Sequence, residues 1–374
     1  MTRSGKVRID DALRESASAL KFEALADELR RRVVAGTWPV GSKLPTEREL
    51  MRSTGLSLTT VRRAYDTLVE DQLIVRRRGA GTFVAARPEV EQTALRIGVM
   101  LPEAHSYFGR AVRGIEETLT ENGASLALVI TEYRAHREDD ALASLLRDGV
   151  DGLIAVPVLT QDAGRDALRL ERVLEQPVPL VLMERRLPGP VALDDTEHVV
   201  SDHAGGAADA VRHLADLGHR RIALVHRQRA YTSLGVLDGY RAACGHLDIE
   251  PDVIGVDAPT WGAGAADLLL VDLRDRGVTA ALVLGDPEAT LIEARAALAG
   301  IRIPDDLALV SYDDEVADLA PVPLTAMAPA KFRMGRLAAE LILGRITQRS
   351  ARPIHQMRLR PRLVVRESCG ARRR

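Results

Sequence analysis

The sequence predicts a multidomain chain with two fold classes in series: an N-terminal α+β helix-turn-helix carrying a hairpin wing, then an α/β domain of two lobes. Three observations lead there. Between Lys43 and Val84 a capped helix, a glycine stop and a second capped helix are followed by a basic, glycine-tipped hairpin. From Leu95 onward short apolar runs alternate with amphipathic stretches, as parallel sheets covered by helices require. Charge divides near the same place: residues 1–87 hold 17 Lys and Arg against 11 Asp and Glu, whereas the whole chain is at −2. The basic end favours a polyanion and the acidic remainder resists one.

Taken in order, Met1 to Ala19 is polar with weak periodicity and reads as an extension. Leu25, Ala26, Leu29 and Val33 mark an amphipathic helix that begins near Phe22 and stops at Gly36. Thr46-Glu47-Arg48-Glu49 has the form of a capping box, so a helix starts at Glu47; Gly55 suits the left-handed residue that closes it after Thr54. Ser57 caps a second helix whose apolar residues Val61, Ala64, Tyr65 and Leu68 fall on one buried stripe. That stripe leaves Leu58, Thr59, Thr60, Arg62 and Arg63 near the exposed start, as in a helix that enters a DNA major groove. Leu73–Val75 and Thr82–Val84 pair around Arg76-Arg77-Arg78-Gly79-Ala80-Gly81, where glycines permit positive φ and the arginines meet phosphate or the minor groove.

Ala85 to Ala94 contains Pro88 and no apolar stripe, and reads as a linker. Strands are expected at Ile97–Leu101, Leu126–Ile130, Gly152–Val156, Leu180–Met183, Ile222–Val225, Val253–Val256, Ala280–Leu284 and Leu307–Ser311. Helices are expected from Gly109 to Asn122 and from Ala204 to Leu217. So many strands divide naturally into two lobes, with ligands beyond the strands' carboxyl ends. The residues there are Ser106, Tyr107 and Phe108; Tyr133; Glu184 and Arg185; His226; Trp261; Gly285 and Asp286; Asp313 and Asp314.

Cys244 and Cys369 stand far apart without CxxC spacing, so neither a disulfide framework nor a zinc site is indicated. The nine histidines lack metal-ligand spacing. No catalytic residue, metal or cofactor is assigned. No apolar run approaches the roughly 18 residues of a membrane span, and the polar start is no secretory signal. The expectation is a cytoplasmic protein without a membrane partner.

LPTEREL, GLSLTTVRRAYDTL and GAGTFV, in this order, make residues 21–86 similar to the winged-helix domain of the GntR family. The resemblance implies that Arg48, Ser57, Thr59, Thr60, Arg62, Arg63 and Gly79 form the DNA-binding set. Leu58 stands where some relatives carry a base-reading arginine, so their operators do not transfer. RIGVMLPEAHSYFGRAVRGIEETL, GVDGLIAVP, LGHRRIALV, IPDDLALVSYDDE and PLTAM look like the effector domain of LacI/GalR-type repressors, itself similar to periplasmic sugar-binding proteins. That resemblance implies two Rossmann-like lobes joined by three crossovers, near Asp195–Val200, Leu324–Met327 and Arg352–Gln356, with Met357–Val365 returning to the second lobe. It implies effector contacts from Ser106, Tyr107, Phe108, Glu184, Trp261, Asp286 and Asp313. Val236 and Gly285 replace the family's usual arginine and asparagine, which changes the ligand accepted.

The domains expected are an extension at 1–20, the winged helix at 21–86, a linker at 87–94, an effector and dimerisation domain at 95–367 and a tail at 368–374. The resemblances imply a homodimeric transcriptional repressor whose affinity for double-stranded operator DNA is set by a small-molecule effector, a sugar or related metabolite. The alternative is an enzyme or a non-sugar sensor built on the α/β domain. Against an enzyme, the chain lacks a P-loop and G-x-S-x-G, and its few lysines offer no setting for a Schiff base.

Overall fold

A computed structural model describes residues 22, 25, 26, 28–30, 32, 33, 37–71, 73–85, 95–104, 106–159, 163–187, 193–228, 230–256, 261–348 and 353–371. The expected extension at 1–20 and linker at 87–94 lie outside them. The chain divides into two units, Met1–Thr93 and Ala94–Arg374.

In the first unit the capping box forms: Thr46 accepts the Glu49 amide, and the Glu49 carboxylate accepts the Thr46 amide at 2.7 Å. Helix α1 spans Glu47–Thr54 and closes on Gly55 at φ 72°. Ser57 caps α2, Leu58–Glu70. Strands β1 (Ile74–Arg77) and β2 (Gly81–Val84) pair antiparallel, Ile74 opposite Val84 and Arg77 opposite Gly81. Leu25, Leu29, Leu50, Val61, Tyr65, Leu68, Ile74 and Val84 bury one another, each large side chain contributing about 1.5–3 kcal/mol. The Tyr65 hydroxyl donates to the Pro45 carbonyl at 2.6 Å, so the buried phenol has its partner.

The second unit holds two six-stranded sheets. The first lobe comprises β3 (Arg96–Leu101), α3 (Ser106–Glu121), β4 (Ser125–Ile130), α4 (His136–Arg147), β5 (Gly152–Ala155), α5 (Ala163–Leu174), β6 (Leu180–Met183) and β7 (His198–Ser201). The second comprises α6 (His203–Asp216), β8 (Ile222–Arg227), α7 (Tyr231–His246), β9 (Asp252–Val256), α8 (Ala263–Asp275), β10 (Ala280–Val283), α9 (Asp286–Leu298), β11 (Ala308–Tyr312) and β12 (Thr325–Ala328). The chain returns to the first lobe with α10 (Lys331–Gln348) and β13 (Gln356–Leu359), then crosses again to β14 (Arg362–Val364). The strand orders are β13-β7-β6-β5-β3-β4 and β14-β12-β11-β10-β8-β9, parallel throughout except β14 against β12.

Two expectations change here. The crossovers fall at Asp202, at Pro329-Ala330 and at Arg360-Pro361, later than the sequence suggests. The first two stretches read as crossovers instead carry β7 and β12, each one strand in from its sheet's edge, and Met357–Leu359 pairs in the first lobe within the edge strand β13 before the chain leaves it. The expected tail is also wrong at its start: Ser368 and Cys369 are buried, with Ser368 Oγ donating to the Leu309 carbonyl at 2.7 Å.

Each lobe packs a helix pair through small residues. A Cβ on Gly335 of α10 would lie 2.0 Å from the Ala111 carbonyl of α3, so the two backbones approach closer than any side chain permits.

Candidate functional sites

In the first unit, Arg48 on α1 and Thr59 and Arg62 on α2 are exposed together with Ser57 at the start of α2. Arg48 makes no ion pair among the described residues. Arg62 Nε donates to Glu47 at 3.2 Å, and Arg76 of the wing reaches both Glu47 and Asp66. Glu47 thereby ties α1, α2 and the hairpin together. Gly79, at φ 77°, sits at an open wing tip: a Cβ there would meet nothing within 4 Å. Arg78 beside it is exposed and makes no ion pair among the described residues.

Two members of the expected set are engaged by neighbours within the unit. Thr60 is only 9 % exposed, and its hydroxyl lies 2.8 Å from that of Ser57, completing the helix cap. Arg63 stays exposed but places its guanidinium carbon 4.1 Å from the centre of the Phe22 ring, a cation–π contact.

In the second unit a cavity of about 310 Å³ opens between the lobes at the carboxyl ends of both sheets. Tyr107, Phe108, Tyr133, Val158, Leu159, Glu184 and Arg185 line it from the first lobe; Arg227, Gln228, Tyr231, Thr232, Leu284 and Asp313 line it from the second. Four of the chain's twelve aromatic residues therefore converge on one small cleft. Asp313 follows β11 at φ 108°, and its backbone amide bonds the Met327 carbonyl. Burial in the cleft pushes its carboxyl up to about 6. No hydrogen bond engages that carboxylate among the described residues, which leaves it open to ligand hydroxyls.

Glu184 is the opposite case. It accepts from Tyr107 Oη, from Ser201 Oγ at 2.6 Å and from the Ser201 amide at 3.0 Å, while His203 Nε2 lies 3.4 Å away. Burial opposes ionisation, but His203 and the Ser201 donors outweigh it and hold the carboxyl at about 2. His203 Nδ1 in turn faces Tyr312 Oη at 3.2 Å. Lys331, 2 % exposed at the start of α10, donates to the Asp313 carbonyl and pairs with Glu315. At the third crossover Arg360 bonds Asp202 and Asp209 at 2.7 Å each. Gly205 makes room for it, since a Cβ there would strike the guanidinium. Polar pairs thus stand at every crossover.

Three expected effector contacts lie elsewhere. Ser106 turns to Glu103, which accepts its amide and hydroxyl at 3.0 and 2.8 Å and so caps α3. Trp261 packs beside Ile254, Val256 and Leu269 on a separate depression of the second lobe. Asp286 is fully buried, accepting from Ser311 Oγ at 2.7 Å and from the amides of Glu315 and Val316. Its carboxylate fixes the turn that carries Asp313 and does not face the cavity.

Strand β8 runs two residues beyond the expected Ile222–Val225. That strand runs to Arg227, so alternation aims Arg227 into the cleft while His226 does not line it. Tyr231 begins the next helix and carried no motif that could mark it. Glu138 acts from behind the wall: it accepts the Val158 amide, and its ion-pair partner Arg169 donates to the Val158 carbonyl.

Among the described residues no helix is long and apolar enough to cross a membrane, and no His, Cys, Asp and Glu cluster forms a candidate metal site.

In comparison with known proteins, residues 21–84 match the family described as bacterial regulatory proteins, gntR family. Residues 94–254 match the periplasmic binding proteins and sugar binding domain of LacI family, and residues 211–369 match the periplasmic binding protein-like domain. The chain is 29 % identical over 359 residues to the arabinose metabolism transcriptional repressor of Geobacillus stearothermophilus, covering 93 % of this chain and 97 % of that one. It is 27 % identical over 342 residues to the ribose operon repressor of Escherichia coli strain K12, covering 87 % and 100 %. A LacI family transcriptional regulator from Enterococcus faecium, solved with bound ribose, superimposes with a TM-score of 0.60 at 26 % identity, covering 73 % of this chain and 98 % of that one.

Proposed function

The chain joins a GntR-family DNA-binding domain to a LacI-type periplasmic-binding-protein-like domain, and from that architecture we propose a transcriptional repressor that senses a sugar or related metabolite in the cytoplasm. The observation that carries this reading is the interlobe cleft, where the Asp313 carboxylate stands unengaged beside an aromatic wall. A carboxylate that accepts hydroxyls next to ring faces is suited to a small polyhydroxylated molecule.

Arg48, Ser57, Thr59, Arg62 and Gly79 form the DNA-binding face, with Arg78 added at the wing. Residues 21–86 constitute the reader and the effector domain starts at 95. Two copies present two readers to a pseudo-palindromic operator. Effector binding favours one arrangement of the lobes, which alters the spacing of the readers and the affinity for DNA. The protein acts as a regulator and not as an enzyme: Glu184, the other cleft carboxylate, has its oxygens engaged by Tyr107 and Ser201, leaving Asp313 without a second carboxylate for acid–base work.

The test is fluorescence anisotropy of the purified protein on DNA from upstream of its own gene, titrated with a panel of sugars. Saturable binding that a non-cognate duplex fails to compete away, released by one compound, is the expected result. Binding no stronger than to random DNA would overturn the reading.

A further inference from the structure

Arg185 is the most unusual charge in the cleft. It is 7 % exposed, yet its guanidinium meets no carboxylate within ion-pair distance among the described residues. Nε donates to the Pro157 carbonyl at 3.0 Å and Nη1 to the Glu184 carbonyl at 2.7 Å; both partners are neutral backbone groups. The guanidinium also stacks 4.6 Å from the centre of the Tyr231 ring, across the cleft. A buried cation held this way keeps most of its desolvation cost, which an anion arriving in the cavity would relieve.

Two other features face the same cavity. Arg227 is forked onto Glu288 through Nε and Nη2, at 2.6 and 2.8 Å, which leaves Nη1 outside the fork. Helix α7 begins at Tyr231 behind Ala230, whose side chain provides no cap acceptor. A helix start that lacks a side-chain cap favours negative charge. Asp313 supplies the opposite chemistry from the end of β11.

Building on the reading of this cleft as the effector site, we propose that the effector is an anionic polyhydroxylated molecule of monosaccharide size, its carboxylate or phosphate meeting Arg185 and Arg227 and its hydroxyls meeting Asp313. A cavity of about 310 Å³ suits one monosaccharide-sized acid, cyclic or open-chain. The arginine absent at Val236 is then replaced, from other positions, by a pair that reads charge.

Isothermal titration calorimetry on the full chain tests this with three matched arms: the neutral sugars D-ribose, D-glucose and D-galactose, their aldonates, and their terminal phosphates. Operator release is followed in parallel. The expected result is that one anion binds at least 10-fold more tightly than its neutral parent, and the arm it belongs to distinguishes carboxylate from phosphate. That preference should fall below 3-fold in Arg185→Gln and persist in Arg185→Lys. A neutral sugar that binds as tightly as its acid and phosphate overturns the charge inference, and if it also releases DNA the cleft remains the sensing site. An undiminished preference in Arg185→Gln overturns the assignment to Arg185. Silence from all three arms overturns the ligand class, and if no compound alters DNA binding the sensing reading falls with it. Should Arg185→Gln fail to fold, the wild-type comparison of the arms still decides.

Discussion

Glu184 and His203 face each other across the first crossover, with 3.4 Å between Oε2 and Nε2. Glu184 follows the β6 strand of one lobe and His203 opens the α6 helix of the other, so this contact reports directly on lobe geometry. Because the folded carboxyl sits at about 2, below its ordinary value of 4.5, its ionised form stabilises the fold above pH 4.5. That contribution is lost as pH falls from about 4.5 towards about 2. Urea denaturation across this range should show the loss in the wild type and a flatter profile in Glu184→Gln, which should itself cost roughly 1–3 kcal/mol at neutral pH.

Asp313 behaves in the reverse sense. Its carboxyl is raised from 3.8 to about 6, so the folded state binds the extra proton and stability falls as pH rises from about 4 through 6. Asp313→Asn should remove that slope and stabilise the protein by about 3 kcal/mol at pH 7. The same variant should lose the effector response while keeping operator affinity in anisotropy. A retained response would move the ligand away from this residue.

Arg48 and Arg63 separate the two readings of the basic surface. Arg48→Ala should weaken operator binding by about 1–3 kcal/mol if it contacts a base or a phosphate. Arg63→Ala removes the stack on Phe22 and should lower the melting temperature of the first unit, costing about 0.5–1 kcal/mol. Its operator affinity should change less than that of Arg48→Ala, measured on the same duplex.

Trp261 offers a control within the second lobe. Since it packs beside Ile254 and Val256 and does not line the interlobe cavity, Trp261→Phe should leave the effector concentration for half-maximal release within about 2-fold, as expected for a volume-tolerant apolar change costing roughly 1 kcal/mol or less. A 10-fold shift would return Trp261 to the ligand.

What the sequence determined by itself is what its short-range chemistry fixes. The Thr46–Glu49 capping box, the Gly55 stop, the Ser57 cap and the apolar stripe of α2 all depend on residues three to seven positions apart, and each forms as read. The alternation of apolar runs likewise locates eight of the strands, because a strand buried on both faces must be apolar throughout. Short strands of mixed composition carry no such mark, so β7, β12, β13 and β14 read as crossovers or as a returning run. The cleft was legible where a residue closely follows a strand end, as Glu184, Arg185 and Asp313 do, or lies in the segment after one, as Tyr107, Phe108 and Tyr133 do.

Tertiary structure decided the rest. Asp286 and Ser106 stand in the expected places, but their neighbours Ser311 and Glu103 claim their polar atoms. The stack of Arg185 on Tyr231 and the grip of Arg360 on Asp202, 158 residues away, join parts of the chain with no local relation. Such pairs depend on which sheet ends the fold sets opposite each other. A polar side chain shows its own bonding capacity in the sequence, but only the packed lobes choose its partner.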